Sequence, residues 1–323
     1  MSDTAPRATE AAVLARLRCP ACGGPLRETL RLAGEGRATC ADCSAGYAQA
    51  GGIWRLLTAA ERRRYAPFLE SYRPLRQGDG WERADPGYYL RLPYVPPGDP
   101  TAGIWRIRRR SLARLERIAG PGAGRWALDL GAGNGWLSRR LTERGFAVIA
   151  LDLNVGGADS LEGAQVFLGR GAWFGRVQAS MDRLPLAVGA FALCVCSGAL
   201  HYADLPATLA EIGRVLEPGG LFVCTDSPVY TDPAAGAAMV AEQHARLRTS
   251  LGRDPHWPGG HGFLVADSLV AAMRQAGFAV QLLANEHPLG PLRRQVSRLR
   301  HPGGREQARF PVVVGRKSAP AVT

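Results

Sequence analysis

The stretch Ala127-Leu128-Asp129-Leu130-Gly131-Ala132-Gly133-Asn134-Gly135 constrains the fold more than any other part of the chain. A short apolar run leads straight into glycines at every second position, and Trp136–Arg144 behind them has helical spacing. Glycines at a strand-to-helix turn let the backbone pass close to a bound ligand, where a Cβ would collide. A dinucleotide fingerprint would need a further glycine at position 136, and that residue is Trp136. The loop is instead Gly-x-Gly-x-Gly preceded by an acid. Asp152, 19 residues after Gly133, ends the next apolar run, Ala147–Leu151. A carboxylate there can accept two hydrogen bonds from the hydroxyls of an adenosine ribose.

Around this loop, strand and helix patterns alternate. Trp105–Ile118 has helical spacing, and Trp126–Leu130 is a short apolar strand. Further strands are expected at Ala147–Leu151, around Val177, at Phe191–Cys196 and at Leu221–Thr225. Leu205–Leu216 predicts a helix closed by Glu217-Pro218-Gly219-Gly220; Ser268–Ala276 predicts another, with strands at Phe278–Leu283 and Phe310–Gly315. Such alternation implies an α/β fold, a parallel sheet with helices on both faces.

The loop and Asp152, followed in order by Gln178–Pro185, Phe191-Ala192-Leu193, His201-Tyr202 and Ala210–Gly220, resemble the ordered motifs of class I S-adenosylmethionine-dependent methyltransferases. The resemblance covers roughly residues 110–316 and implies a Rossmann-like sheet with S-adenosylmethionine as cofactor. It implies that Asp129 and the loop residues Gly131, Gly133 and Asn134 hold the methionine part, Asp152 the ribose, and Met181 with Asp182 the adenine. Leu153 and Ser197 complete the implied cofactor set. Two departures stand out. Ser180 occupies a place where an acid is frequent, and Ala192 follows the fourth-strand Phe where Asp is usual, leaving one fewer carboxylate near the methyl group.

Methyl transfer from a sulfonium is an in-line displacement with an excellent leaving group, so orientation can supply up to ~7–11 kcal/mol. A base matters only when the nucleophile must lose a proton. His201, just past the fourth strand, is the candidate, because ligands bind outside the carboxyl ends of such strands. Asp226 and Tyr230, after the fifth strand, are candidates for shaping the acceptor pocket.

Near the N-terminus, Cys19-Pro-Ala-Cys22-Gly-Gly and Cys40-Ala-Asp-Cys43 are separated by seventeen residues. Two C-x-x-C knuckles supply the four thiolates that a tetrahedral zinc prefers. A segment this small buries little apolar area, so the metal would provide its stability. With all four positions filled by Cys19, Cys22, Cys40 and Cys43, the zinc would be structural. Cys194, Cys196 and Cys224 lie inside apolar runs and read as small buried hydrophobes. The continuation Gly46–Leu57 resembles the zinc-ribbon family that includes the activator subunit of eukaryotic tRNA, rRNA and protein methyltransferases, with Ala48 and Trp54 replacing two prolines. That resemblance implies a module docking on a methyltransferase, here fused to it.

The expected organisation is an arm and zinc ribbon over 1–57, an aromatic and Arg-rich connector over 58–104, and the methyltransferase domain over 105–318. Met1–Glu10 is polar, and the longest nearly apolar run, Leu186–Leu200, is too short to span a bilayer, so a cytoplasmic protein without a membrane span is expected. The net charge is +12, and residues 1–120 carry 20 Arg against 12 Asp and Glu. Clusters stand at Arg62-Arg63-Arg64, at Arg106 with Arg108-Arg109-Arg110, and at Arg293, Arg294, Arg298 and Arg300. Such patches fit a polyanion. Yet Lys317 is the only lysine, so the arginines also fit the coding bias of a GC-rich genome.

No Asn-Pro-Pro-Tyr or Asp-Pro-Pro-Tyr sequence marks amino-group methylation, and no Pro-Cys pair supplies a cytosine-methylating nucleophile. A small-molecule acceptor is favoured, with Trp81, Tyr88, Tyr89 and Tyr94 as a lid. The alternatives are an RNA base gripped through the ribbon and Arg clusters, and a cofactor- or partner-binding protein without turnover.

Overall fold

The computed structural model describes residues 8–252, 259–285 and 305–318. The described chain begins with the short helix α1 (Glu10–Leu14) and four strands, β1 (Leu26–Leu32), β2 (Glu35–Cys40), β3 (Gly46–Ala50) and β4 (Ile53–Arg55). Three helices follow: α2 (Ala59–Gly78), α3 (Pro86–Arg91) and α4 (Ala102–Ala119). Then come β5 (Trp126–Leu130), α5 (Trp136–Glu143), β6 (Ala147–Asp152), α6 (Gln165–Leu168), β7 (Gly175–Gln178) and β8 (Phe191–Ser197). The remainder is α7 (Leu205–Val215), β9 (Leu216–Thr225), β10 (Val229–Tyr230), α8 (Pro233–Leu251), β11 (Leu264–Val265), α9 (Ala266–Gln275), β12 (Phe278–Leu283) and β13 (Val312–Lys317).

Eleven strands form one sheet in the order β1-β2-β3-β4-β7-β6-β5-β8-β9-β13-β12. From β4 to β9 neighbouring strands are parallel, while β13 is antiparallel to both β9 and β12. Strands β5, β6 and β8 are buried almost throughout, as strands covered on both faces must be. Side chains alternate between two cores. Leu128, Leu130, Cys194 and Cys196 enter one; Ala127, Val148, Leu193 and Val195 enter the other. This is the expected Rossmann-like α/β sheet, and the three strand cysteines are buried as expected.

Two features differ from the sequence reading. The ribbon strands continue the central sheet: Ile53, Trp54 and Arg55 pair with Arg176, Val177 and Gln178. Val13, Leu17, Trp54 and Leu56 share a core with Leu128, Val177 and Leu186, so apolar burial joins any metal in holding the segment. Parallel pairing across more than a hundred residues leaves no local trace in sequence. The connector, in turn, contains the 20-residue helix α2 despite Pro67 and Pro74. Its start is fixed by a capping box, Thr58 Oγ1 accepting from the Glu61 amide and the Glu61 carboxylate accepting from the Thr58 amide.

The Pro96–Pro100 stretch is irregular, as its prolines require. Strand β9 starts at Leu216 rather than Leu221, because Glu217–Gly220 form a bulge between the Phe191–Leu216 and Leu193–Leu221 pairs. The cluster Arg293, Arg294, Arg298 and Arg300 lies outside the described residues. Among the described residues no helix is long and apolar enough to cross a membrane.

Candidate functional site

The cavity opens at the carboxyl ends of β5, β6, β7 and β8, with about 970 Å3 of empty space including its solvent-open mouth. Its floor is the glycine loop. Gly131 has φ +69°, and a Cβ there would lie 2.3 Å from the Cβ of Ala199, so only glycine fits where β5 meets β8. Asp152 closes the loop from β6. Its carboxylate accepts from the Gly133 amide at 2.8 Å and from the Asn154 amide at 2.7 Å. Burial raises its pKa above the ordinary carboxylate value, while these two amides act in the opposite direction. The carboxylate is thus oriented by the backbone at the cavity wall, with lone pairs left for a ligand.

Of the residues expected to hold cofactor, Gly131, Gly133, Asn134, Asp152, Leu153, Met181, Asp182 and Ser197 all line this one cavity. Asp129 does not. It is buried beneath the loop and accepts from Ser138 Oγ at 2.6 Å, tying β5 to the first turn of α5. Burial pushes its pKa up to about 7. Asn134 is fixed at both ends, its Oδ1 accepting from the Trp136 amide and its Nδ2 donating to Asp159. Asp182 accepts from Thr208 and from Tyr65, which also bonds Ser180 at 2.8 Å. Ser180, standing in place of an acid, therefore anchors helix α2.

His201 is a correction. It does not line the cavity; its Nδ1 lies 3.1 Å from Ser227 Oγ, and its ring packs 4.0 Å from that of Tyr202. Burial lowers its pKa to about 3. The 3-10 turn Leu200–Tyr202 points Tyr202 at the cavity and turns His201 inward, so no proton can pass directly between His201 and an acceptor. Tyr230 is also buried elsewhere, packed edge-on against Phe263. Asp226 stands behind the wall, in the left-handed region at φ +59°, and accepts from Ser111, Ser197 and Thr225.

The expected lid is made of different aromatics. Tyr88 and Tyr89 are buried, Tyr88 accepting from Trp105 Nε1, and Tyr94 is 54% exposed beneath Arg140. The cover is α2, which presents Tyr65, Phe68, Tyr72 and Arg76 to the cavity. Their spacing of three, four and four residues is one helical face, a signal present in the sequence. Arg76 bonds Asp159 through Nε at 2.7 Å and Nη2 at 2.6 Å, and Arg108 of α4 reaches the same cavity. Neither arginine stands out in the sequence as a site residue, because nothing local separates them from their many neighbours.

Outside the cavity lining, the four N-terminal thiols converge. All four Sγ atoms lie within 4.8 Å of one another, with Cys19–Cys43 at 3.6 Å and Cys22–Cys40 at 3.4 Å. Sulfurs at zinc-bond length from a common tetrahedral centre stand about 3.8 Å apart. The thiols are free of disulfides, and the donor set fits a metal.

Residues 128–224 match the family model described as a methyltransferase domain. The malonyl-acyl-carrier-protein O-methyltransferase of Serratia marcescens is 38% identical over 112 residues, 33% of this chain and 42% of that protein. An uncharacterized methyltransferase of Mycobacterium bovis is 26% identical over 219 residues, 64% of this chain and 80% of the relative. The chain spans about two fifths of the length of the first of these relatives. Among solved structures, the YcgJ protein of Bacillus subtilis superposes with a TM-score of 0.49 at 18% identity, covering 65% of this chain and 99% of that one. The matched residues 128–224 contain the glycine loop, Asp152 and the cavity floor.

Proposed function

We propose that the chain transfers the methyl group of S-adenosylmethionine to a small-molecule acceptor, and that its N-terminal thiols hold one structural zinc. The observation that carries the cofactor reading is Asp152, oriented by the Gly133 and Asn154 amides at the carboxyl end of β6, in the cavity shared by eight of the expected cofactor residues. The cofactor supplies a methyl group already activated on a sulfonium. The protein's part is orientation: the glycine loop leaves room for the methionine part, Asp152 aligns the ribose, and Met181 lies where the adenine is expected.

Helix α2 roofs the cavity, and its anchors at Asp182 and Asp159 narrow the site in a way suited to a small acceptor. The Serratia marcescens relative is named as an O-methyltransferase of malonyl-acyl-carrier protein, so the methylated group of that relative is small although its carrier is a protein. With His201 turned away, the reading favours a nucleophile that needs no direct base. The zinc reading rests on the four convergent thiols, with the ribbon serving as a built-in edge of the catalytic sheet.

Asp152→Ala should weaken S-adenosylhomocysteine binding while leaving the fold intact. Loss of the charge-assisted pair should cost about 2–4 kcal/mol, on the order of 30- to 1000-fold in affinity. Calorimetric titration of both proteins measures it, and equal affinities would place the ribose elsewhere.

A further inference from the structure

We propose that the cavity contains an oxyanion subsite at Arg108, and that the methyl acceptor is a small molecule whose carboxylate or phosphate this guanidinium holds. The inference rests on the methyltransferase reading and adds the chemical class of the acceptor.

Arg108 lines the cavity, yet it makes no hydrogen bond or ion pair among the described residues, and its Nε is fully enclosed without a partner. What holds it is aromatic: its Cζ lies 4.7 Å from the Trp105 ring centre and 4.9 Å from that of Trp81. Burial lowers its pKa from the ordinary guanidinium value. Asp226 is the carboxylate acting most strongly on it, but Asp226 already accepts from the hydroxyls of Ser111, Ser197 and Thr225. A guanidinium whose Nε is cut off from water without a bonded partner is costly unless an anion joins it.

The position favours the acceptor over the cofactor as the source of that anion. Along the sheet the expected contacts run from adenine beyond β7, to ribose at the end of β6, to methionine at the loop after β5. Arg108 stands further along the same line. Its Nη2 would lie 3.3 Å from a Cβ at Gly198, just past β8, and it faces Asp226 past β9. A Cβ at 198 would crowd the guanidinium by only a few tenths of an ångström, so the contact marks proximity to the strand end. The other cavity arginine, Arg76, is bonded to Asp159, which accepts from Asn134 of the glycine loop. Arg76 is therefore the cation at the methionine end, and Arg108 is left for a second anion.

Benzoate and hexanoate, each compared with its neutral amide, serve as probes on the full chain saturated with S-adenosylhomocysteine. Trp81 and Trp105 flank the guanidinium, so tryptophan fluorescence reads occupancy, with calorimetry alongside. We expect saturable binding of at least one carboxylate and none of its amide. Arg108→Met, which keeps the stem between the indoles, should weaken that binding tenfold or more with S-adenosylhomocysteine affinity unchanged, and Arg108→Lys should restore part of it.

A different result overturns the assignment. If Arg108→Met loses S-adenosylhomocysteine tenfold but keeps 5′-methylthioadenosine, which lacks the amino-acid part, the guanidinium belongs to the cofactor's own carboxylate. The two failures separate cleanly. Wild-type protein that binds neither nucleoside breaks the methyltransferase reading. Wild-type protein that binds S-adenosylhomocysteine but no carboxylate in preference to its amide overturns the subsite alone.

Discussion

Strands β1 and β8 belong to the same sheet and are built by opposite means. In β8 six of seven residues are buried, with cysteine, valine and leucine filling both cores. In β1 only Leu26 is buried, and Leu30 and Leu32 are 43% and 61% exposed on an outer edge. The central strand is stable because helices cover both faces. The outer strand has few apolar contacts to offer, and under the proposed zinc reading a metal on the four thiols would stand in for them. Between these extremes lies β4, whose Ile53 and Trp54 are fully buried against β7. The comparison teaches that one hydrogen-bonded ladder can join regions whose stability has different sources, and that the join itself is apolar.

Metal removal should show the largest effect. Structural zinc contributes on the order of 10 kcal/mol in small modules, more than β1–β3 can recover from burial. Chelation of the full chain should abolish amide hydrogen-exchange protection over residues 19–50 and spare residues 126–152. Loss of protection across both stretches would break the comparison, because the ribbon and the central strands would then be a single cooperative unit.

A smaller effect belongs to the central strands. Asp129 has a folded-state pKa raised by burial to about 7, above an unfolded value of about 3.9. Its proton therefore stabilises the fold fully below about pH 4, and that contribution is lost as pH rises through about 7. Asp129→Asn should remove up to about 4 kcal/mol of this pH dependence. Denaturant unfolding of both proteins across pH 4–8 measures the difference. Parallel stability curves would mean that Asp129 ionises freely and that the strand is less dry than its burial implies.

The smallest effect sits at the junction. Thr58 follows the last ribbon strand and caps the helix that roofs the cavity. Thr58→Ala should cost about 1 kcal/mol of stability and weaken S-adenosylhomocysteine binding only a few-fold. A much larger loss of affinity would make the ribbon a direct support of the cofactor site.

The site was legible to the extent that its residues sit beside strand ends. Gly131, Gly133, Asp152, Met181 and Ser197 each end or closely succeed an apolar run, and the strands of a parallel sheet bring such residues to one edge. His201 satisfied the same rule and failed. Whether a residue past a strand faces the ligand depends on one turn of 3-10 helix, and Tyr202 took the cavity-facing position. The lid failed differently. The aromatic content of the connector was plain, but the α2 face of Tyr65, Phe68 and Tyr72 covers the cavity while Tyr88 and Tyr89 are buried in the same core as Trp105.

The sequence by itself determined the alternating α/β pattern, the glycine loop with its carboxylate partner and the spacing of four thiols. Each depends on contacts between residues near in the chain or on a periodicity that survives in one dimension. Tertiary structure alone decided that β4 pairs with β7, that α2 roofs the cavity, and that Arg76 finds Asp159 while Arg108 is left between two indoles. Those outcomes turn on which of many similar side chains meet across long loops. The distance between them is set by packing, which no local pattern encodes.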